Sequence, residues 1–381
     1  MLPAARCLGT RLLLRRGGTR AASSLCDEGP STSSSPSSTR GRSPSIPNHS
    51  DKTDASSRAQ LPYRDSFELP SSFDVRSWFP LHMSVQLKAM EGKLRTVDLI
   101  IEVHDARIPI SGRNEMISRQ FASVRPHILV LNKMDLIDMA KYRRPIEDYY
   151  ASHGNPRIVW TDCKRRLSKA LVDLRETMID VLRSEPRFNR TVKTEYQVMV
   201  VGIPNVGKSS LINSLRATNL GIKHSAVTEG ARPGVTVRVQ NRVRVLDRPP
   251  IYVLDTPGVL APRHKSVEDS MKLALCDLIL ESATSPRLVA DYLLYWMNRT
   301  GDGSYNRLLD LPKGTTHTDD IDVLLKRIAA HHEMRVKTMI PGTGYEERWD
   351  LDRATRTFIS IFRGAKLRDH CLDKEALLPY L

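Results

Sequence analysis

Short apolar runs punctuate the chain between longer stretches of helical period. Residues 97–103 (VDLIIEV), 127–131 (HILVL), 157–160 (RIVW), 197–201 (QVMVV) and 251–254 (IYVL) are brief, nearly all apolar and bounded by turn-formers, which predicts buried strands. Residues 235–246 alternate apolar with polar, as a strand with one exposed face does. Strands interleaved with helices predict an α/β fold, a parallel sheet covered by helices on both faces, with ligands at the carboxyl ends of the strands. Beyond about residue 265 the strand pattern stops. Residues 271–280, 288–297, 321–331 and 353–362 have helical period, which predicts a second, smaller, mainly α-helical domain. No apolar run reaches the roughly 18 residues of a membrane-spanning helix, which argues against an integral membrane segment.

The first 26 residues hold Arg6, Arg11, Arg15, Arg16 and Arg20 and no acid, with Leu8, Leu12, Leu13 and Leu14 placed to line one helix face. Arginine-rich, acid-free and amphipathic is the pattern of a mitochondrial transit peptide, so residues 1–26 are assigned to one. Residues 27–66, dense in Ser and Pro, lack the apolar surface to fold and are expected to form a disordered linker. The net charge of the 381-residue chain is +15, from 58 Lys and Arg against 43 Asp and Glu. Residues 1–80 account for only +4 of it, so the folded body is itself basic and suits a polyanionic partner, nucleic acid or anionic lipid. Hydrophobic residues make up 40%, enough for a full core. The cysteines, Cys7, Cys26, Cys163, Cys276 and Cys371, form no C-x-x-C pair, so neither a disulfide scaffold nor a structural zinc site is indicated.

The strand QVMVV runs into Gly202-Ile-Pro-Asn-Val-Gly207-Lys208-Ser209, and a helical pattern follows from Ser210. This is G-x-x-x-x-G-K-S with strand before and helix after, the context a phosphate loop needs. Backbone N–H groups of Asn205, Val206, Gly207 and Ser210 and the positive end of the helix would face phosphate oxygens. Lys208 would bridge the β- and γ-phosphates, and Ser209 would hold Mg²⁺. Asp255-Thr256-Pro257-Gly258 closes the strand IYVL, where Asp255 would hold Mg²⁺ through water and the Gly258 amide would sense a γ-phosphate. Between the two, Thr236 of Arg232-Pro-Gly-Val-Thr236 is placed to close onto Mg²⁺ and the γ-phosphate, with Thr228 as a rival.

Asn132-Lys133-Met134-Asp135 follows the strand HILVL. A carboxylate such as Asp135 accepts two hydrogen bonds from guanine N1–H and its exocyclic amine, whereas adenine offers an acceptor at N1. Asn132 would brace that pocket, Lys133 would lie along the base, and Thr161-Asp162-Cys163 would complete it through backbone groups. The order of the motifs is shuffled. A Ras-like domain begins with the phosphate loop and reaches N-K-x-D late, whereas here N-K-M-D and T-D-C come first. The pattern is that of a circularly permuted Ras-like P-loop GTPase domain over residues 67–262, followed by the helical domain at 263–381. Permutation is physically tolerable because domain termini lie close together at the surface.

Trp78-Phe79-Pro80-Leu81-His82-Met83, Val103-His-Asp-Ala-Arg-Ile-Pro109, N-K-M-D, the phosphate loop and Asp255-Thr-Pro-Gly-Val-Leu-Ala-Pro262 together resemble the circularly permuted GTPases of large-ribosomal-subunit assembly. With the transit-like leader, the resemblance implies a protein of the mitochondrial matrix, or of the matrix face of the inner membrane. It implies binding to the large mitoribosomal subunit, rRNA and proteins, with GTP hydrolysis during its maturation in support of mitochondrial translation. Ras-type enzymes orient the attacking water with a Gln after D-x-x-G, where this chain has Val259 and Leu260. Two substitutes stand in the sequence. Asn205 matches the asparagine that holds K⁺ in cation-dependent GTPases, and it equally reads as a loop-shaping side chain. His82 matches the family's catalytic histidine in W-F-P-G-H-M and equally reads as structural, and the family's Gly is Leu81 here. Asp105 and Arg107 read as a buried pair fixing the turn after the first strand. Lys326, Arg327, Arg335, Lys337, Arg353, Arg356 and Arg363 are candidate RNA contacts or ordinary solvated helix faces. Two functions follow from different classes: a GTP hydrolase acting in ribosome assembly, and a slow-turnover GTP-gated RNA or inner-membrane adaptor, which Val259 favours. A P-loop ATPase is a third, opposed by N-K-M-D.

Overall fold

All seven side chains of the first strand, β1 (Leu99–Asp105), are buried, so this strand lies inside the sheet and not at its edge. In the computed structural model, residues 63–70, 82–154, 157–164, 168–185, 187, 190–222, 224–227, 242–260, 266–279, 284–340 and 344–381 are described. The leader assigned to residues 1–26 lies outside them. The main sheet continues with β2 (His127–Asn132), β3 (Ile158–Trp160), β4 (Tyr196–Val201), β5 (Val243–Leu246) and β6 (Ile251–Asp255), in the order β3-β2-β1-β4-β6-β5. The pairs β1/β2, β1/β4, β2/β3 and β4/β6 are parallel, and β5 runs antiparallel on the edge beside β6. The expected all-parallel sheet thus carries one antiparallel edge strand, as mixed α/β sheets often do. Strands β1–β3, which would follow the phosphate-loop strand in the Ras-like order, precede β4 here.

Helix α1 (His82–Lys93) precedes β1, and α2 (Glu115–Ala122), α3 (Met139–Ser152), α4 (Ser168–Ser184) and α5 (Lys208–Leu220) connect the strands that follow. The C-terminal half contributes α6 (Val267–Leu275), α7 (Pro286–Arg299), α8 (Tyr305–Leu308), α9 (Ile321–His331), α10 (Leu351–Arg363) and α11 (Lys374–Leu377). Several start where a side chain caps free backbone N–H groups, as Asp138 does for α3, Ser266 for α6, Asp320 for α9 and Asp350 for α10. No helix among the described residues is long and apolar enough to cross a membrane.

Three features depart from the sequence expectation. A β-hairpin, β7 (Arg335–Ile340) with β8 (Gly344–Trp349), interrupts the helical half. Its strands carry charged residues at many positions, so they lack the apolar run that marks a buried strand. Ordered packing also begins before residue 67: the Arg64 guanidinium pairs with Asp291 (2.8 Å) and Asp319 (3.1 Å). Lastly, Ala59–Leu381 form one compact unit, because a single apolar core runs from Val198 and Ile251 of the sheet to Leu293 and Phe358 of the C-terminal helices.

Polar groups are buried within β1 itself. Glu102, 1% exposed, accepts from His104 Nε2 (2.7 Å) and His127 Nε2 (2.8 Å), with Arg113 at 3.7 Å. Burial by itself would raise this carboxyl, but the two histidines hold it well below its ordinary value of 4.5. Its contribution to stability is therefore complete above pH 4.5 and fades as pH falls below that value. Replacing Glu102 by Ala removes the buried acceptor that both imidazoles share and is expected to cost about 3 kcal/mol or more, measured by denaturant unfolding at neutral pH.

Candidate functional site

The phosphate motif sits where β4 ends, on the loop that leads into α5. Gly207 adopts φ 99, and a Cβ there would lie 2.3 Å from Asn132 Nδ2. Glycine is therefore required by conformation and by space. Lys208 opens α5 and is 7% exposed. Its Nζ donates to Ile203 O (2.8 Å) and Gly202 O (3.3 Å), so the ammonium is held inside the loop that it would share with phosphates. Burial pushes its pKa down to about 8, against the pull of Asp255. Ser209 Oγ donates to Asp255 Oδ2 at 3.0 Å. Burial raises the Asp255 carboxyl, with Lys208 and Ser209 opposing. Asp255 Oδ1 is buried and makes no hydrogen bond among the described residues.

A hydroxyl and a carboxylate in contact, with one carboxylate oxygen unsatisfied, fit the donor set of a Mg²⁺ site that water and phosphate oxygens complete. Among the described residues no cluster of three or more His, Cys, Asp or Glu side chains could hold a metal by itself.

The N-K-M-D segment leaves β2 and crosses toward the phosphate loop. Asn132 Nδ2 donates to Val206 O (2.8 Å), while its Oδ1 accepts from Thr161 Oγ1 and Cys163 N (3.2 Å each). One amide thus joins three segments that are far apart in sequence. Lys133, at φ 62, places Nζ 2.8 Å from Asp105 Oδ2 and 3.0 Å from Asn205 O. Asp135 stands half-buried in the short turn Met134–Leu136. The Met134 N–H donates to Thr161 O (3.2 Å), which seats this turn on the T-D-C segment, and Asp162 Oδ1 accepts from Lys164 N (3.1 Å).

The D-T-P-G segment closes the other side. Gly258 packs against Pro204, where a Cβ would come within 2.5 Å of its Cα. Val259 N donates to Gly202 O (3.3 Å), and Asn114 Nδ2 donates to Val259 O (3.1 Å). Val259 and Leu260 are each 1% exposed. Their side chains fill the core, so the two residues after D-T-P-G offer nothing polar to a water. Asn114 was not legible as a site residue, because an isolated Asn in a turn carries no motif. Thr236, its rival Thr228 and the side chain of His82 lie outside the described residues.

Asp105 and Arg107 form the expected buried pair: Nε to Oδ1 is 2.9 Å and the second contact, to Oδ2, is 2.7 Å. Burial would raise Asp105, but Arg107 and Lys133 hold it well below the usual carboxylate range. Among the candidate RNA contacts, Arg363 is turned inward onto Leu275 O and Ala274 O, and Arg335 pairs with Glu347 (3.2 Å). Arg363 is thus a structural residue. Lys337 lies on the exposed strand β7.

Comparison with known proteins places these features in a family. Residues 197–301 match the family described as 50S ribosome-binding GTPase. Over 318 residues the chain is 41% identical to mitochondrial ribosome-associated GTPase 1 of Bos taurus, covering 83% of this chain and 93% of the relative. It is 43% identical to the protein of that name from Xenopus tropicalis, covering 81% of this chain and all (100%) of the relative. The crystal structure of GNP-bound YlqF from T. maritima aligns with 74% of this chain and 94% of its own, at 19% identity and a TM-score of 0.45.

The contact between the two loops can be tested at Gly207. Gly207→Ala forces a methyl group against the Asn132 amide and is expected to weaken GTP binding about tenfold or more, read by titration with a fluorescent GTP analogue. Gly221→Ala, also at positive φ (67) but facing open space, carries the backbone strain alone and is expected to spare affinity.

Proposed function

This chain belongs to the family of the mitochondrial ribosome-associated GTPase 1 proteins, and from that premise we propose its finer role. It is a mitochondrial, ribosome-linked GTP hydrolase. In our reading it acts in the matrix or at the matrix face of the inner membrane, binds the large mitoribosomal subunit, and hydrolyses GTP to GDP and phosphate during assembly of that subunit, in support of mitochondrial translation. The observation that supports this reading is the contact between the two motif segments: the Asn132 amide bonds Val206 O and lies against Gly207, which sets the base and phosphate motifs side by side.

The residues divide the work by chemistry. Asp135 accepts from guanine N1–H and the exocyclic amine; Asn132 braces it, and Thr161, Asp162 and Cys163 support the pocket from below. Lys208 exchanges the carbonyls of Gly202 and Ile203 for phosphate oxygens, where a charge-assisted bond is stronger. Backbone N–H groups of Val206, Gly207 and Ser210 at the start of α5 face the same oxygens. Ser209 and Asp255 would hold Mg²⁺, joined by Thr236, and the ion when bound neutralises charge developing on the phosphates. The Gly258 amide reads the γ-phosphate. His82 would position the attacking water. Asn205 is the residue through which K⁺ would act, since its amide nitrogen is taken by Asp277 and its oxygen is the atom suited to a cation.

Burial of Val259 favours a second reading in which the free protein turns over slowly and serves as a GTP-gated adaptor on RNA or the inner membrane. The hairpin supplies a contact surface in either case. Tyr345 (76% exposed), Met339 (68%) and Trp349 (41%) share one of its faces with Lys337 and with Arg335, which Glu347 pairs on the same face. Exposed aromatic rings beside cations are suited to stacking on unpaired RNA bases.

Two measurements test the proposal. GTP hydrolysis is expected to be slow alone, faster with large mitoribosomal subunits, and slower in Na⁺ than in K⁺; Tyr345→Ala with Trp349→Ala is expected to lose the stimulation by subunits. No stimulation by subunits would favour the adaptor. Asp135→Asn is expected to weaken GTP binding about tenfold or more while improving xanthosine triphosphate, whose ring carries a carbonyl where guanine has its amine; unchanged selectivity would remove Asp135 from the base pocket.

A further inference from the structure

The C-terminal turn of α6 is closed in part by the phosphate loop. Leu278 N donates to Leu273 O (3.0 Å) and Asp277 N to Ala274 O (3.1 Å), the paired bonds of a helix that ends through a left-handed residue. That residue is Asp277, at φ 61. Glycine takes such a conformation at least cost, and an aspartate there needs a compensating contact. The next carbonyls of the turn are each met by a side chain from another part of the molecule. Arg363 Nε donates to Leu275 O (3.3 Å), an Arg107 guanidinium nitrogen to Cys276 O (3.0 Å), and Asn205 Nδ2 to Asp277 O (2.8 Å).

The Asp277 carboxylate adds a second bond to the same atom, Asn205 Nδ2 to Oδ2 at 3.1 Å. Both partners can only accept, so the nitrogen of the Asn205 amide must face Asp277 and its oxygen must face away. Asn205 lies three residues before Lys208 and is itself left-handed, at φ 57. Two non-glycine residues in a conformation suited to glycine therefore hold each other across the boundary between the phosphate loop and the C-terminal helices. The carboxylate is also badly placed for simple affinity. It adds negative charge beside a loop that would receive a polyanion, and Arg363, 3.7 Å from its Oδ1, offsets this only in part.

We propose that Asp277 is a positioning residue for GTP hydrolysis, holding the Asn205 amide in one orientation and tying the phosphate loop to the end of α6. The proposal rests on the reading of residues 202–209 as the phosphate site. Removing the carboxylate should cost turnover and not affinity, because it leaves the Asn205 amide on one bond, to Asp277 O, in place of two, while relieving a repulsion.

The test is steady-state GTP hydrolysis by the full chain, with thermal unfolding and GTP-analogue titration on the same samples. Asp277→Gly keeps the turn and its carbonyl. It is expected to retain the wild-type melting temperature, to leave KM unchanged or lower, and to reduce kcat about fivefold. Asp277→Asn keeps an acceptor oxygen without the charge and is expected to restore most of kcat. Asn205→Ala combined with Asp277→Gly is expected to be no slower than Asn205→Ala alone, since both remove one interaction. A wild-type kcat in Asp277→Gly, or effects of the two substitutions that multiply, overturns the proposal. Lys208→Ala separates this from the site itself: lost GTP binding there with a wild-type kcat in Asp277→Gly sinks the positioning role alone. Retained binding in Lys208→Ala sinks the phosphate site, and the positioning role with it.

Discussion

The Asn132 amide stands where a side chain on Gly207 would have to be, and the rest of the cleft is arranged around that close approach. Strands β2 and β4 are both neighbours of β1, so the loops that leave them start two strand spacings apart, about 10 Å. Side chains must bridge that interval. Asn132 does so by bonding Val206 O, and Lys133 by passing over Asp105 at the end of β1 to reach Asn205 O. The buried charge of Asp105 is compensated on both sides, by Lys133 and by Arg107, so it fixes the bridge without being left unpaired. The two motif segments are thereby fixed against each other.

Chain permutation gives those segments a mechanical neighbour. After D-T-P-G the chain runs on into the C-terminal helices, and these meet the loops that follow β1 and β4 at two places. The end of α6 meets Arg107 and Asn205. Farther on, the buried Asp373 carboxylate accepts from Ile110 N (2.8 Å) and Ser111 N (2.9 Å) and pairs with Lys272 (3.1 Å). A rearrangement of the loops on hydrolysis would therefore load elements of the C-terminal half directly, through hydrogen bonds and not through a linker. One continuous apolar core also joins this half to the sheet.

Elements whose evidence is local were legible before the structure. The strand QVMVV became β4, HILVL became β2, and the helical period at 321–331 became α9 with the bounds Ile321–His331. Each depends on its own apolar spacing. The hairpin β7/β8 was missed because both its strands are exposed and have no buried face to impose alternation. The early docking of Arg64 was missed for a different reason. Its partners Asp291 and Asp319 are remote in sequence, and no local pattern announces a long-range ion pair.

The chemistry of the motifs and their permuted order were set by residue type and spacing alone, since a glycine-rich turn between strand and helix, or an Asn-Lys-x-Asp after a strand, works over a few consecutive residues. Which of these segments touch was decided by the tertiary structure, because strand order is fixed by long-range pairing. So was the occupation of Val259 by the core, and so was the meeting of Asn205 with Asp277, two polar residues whose significance exists only at the distance to which folding brings them.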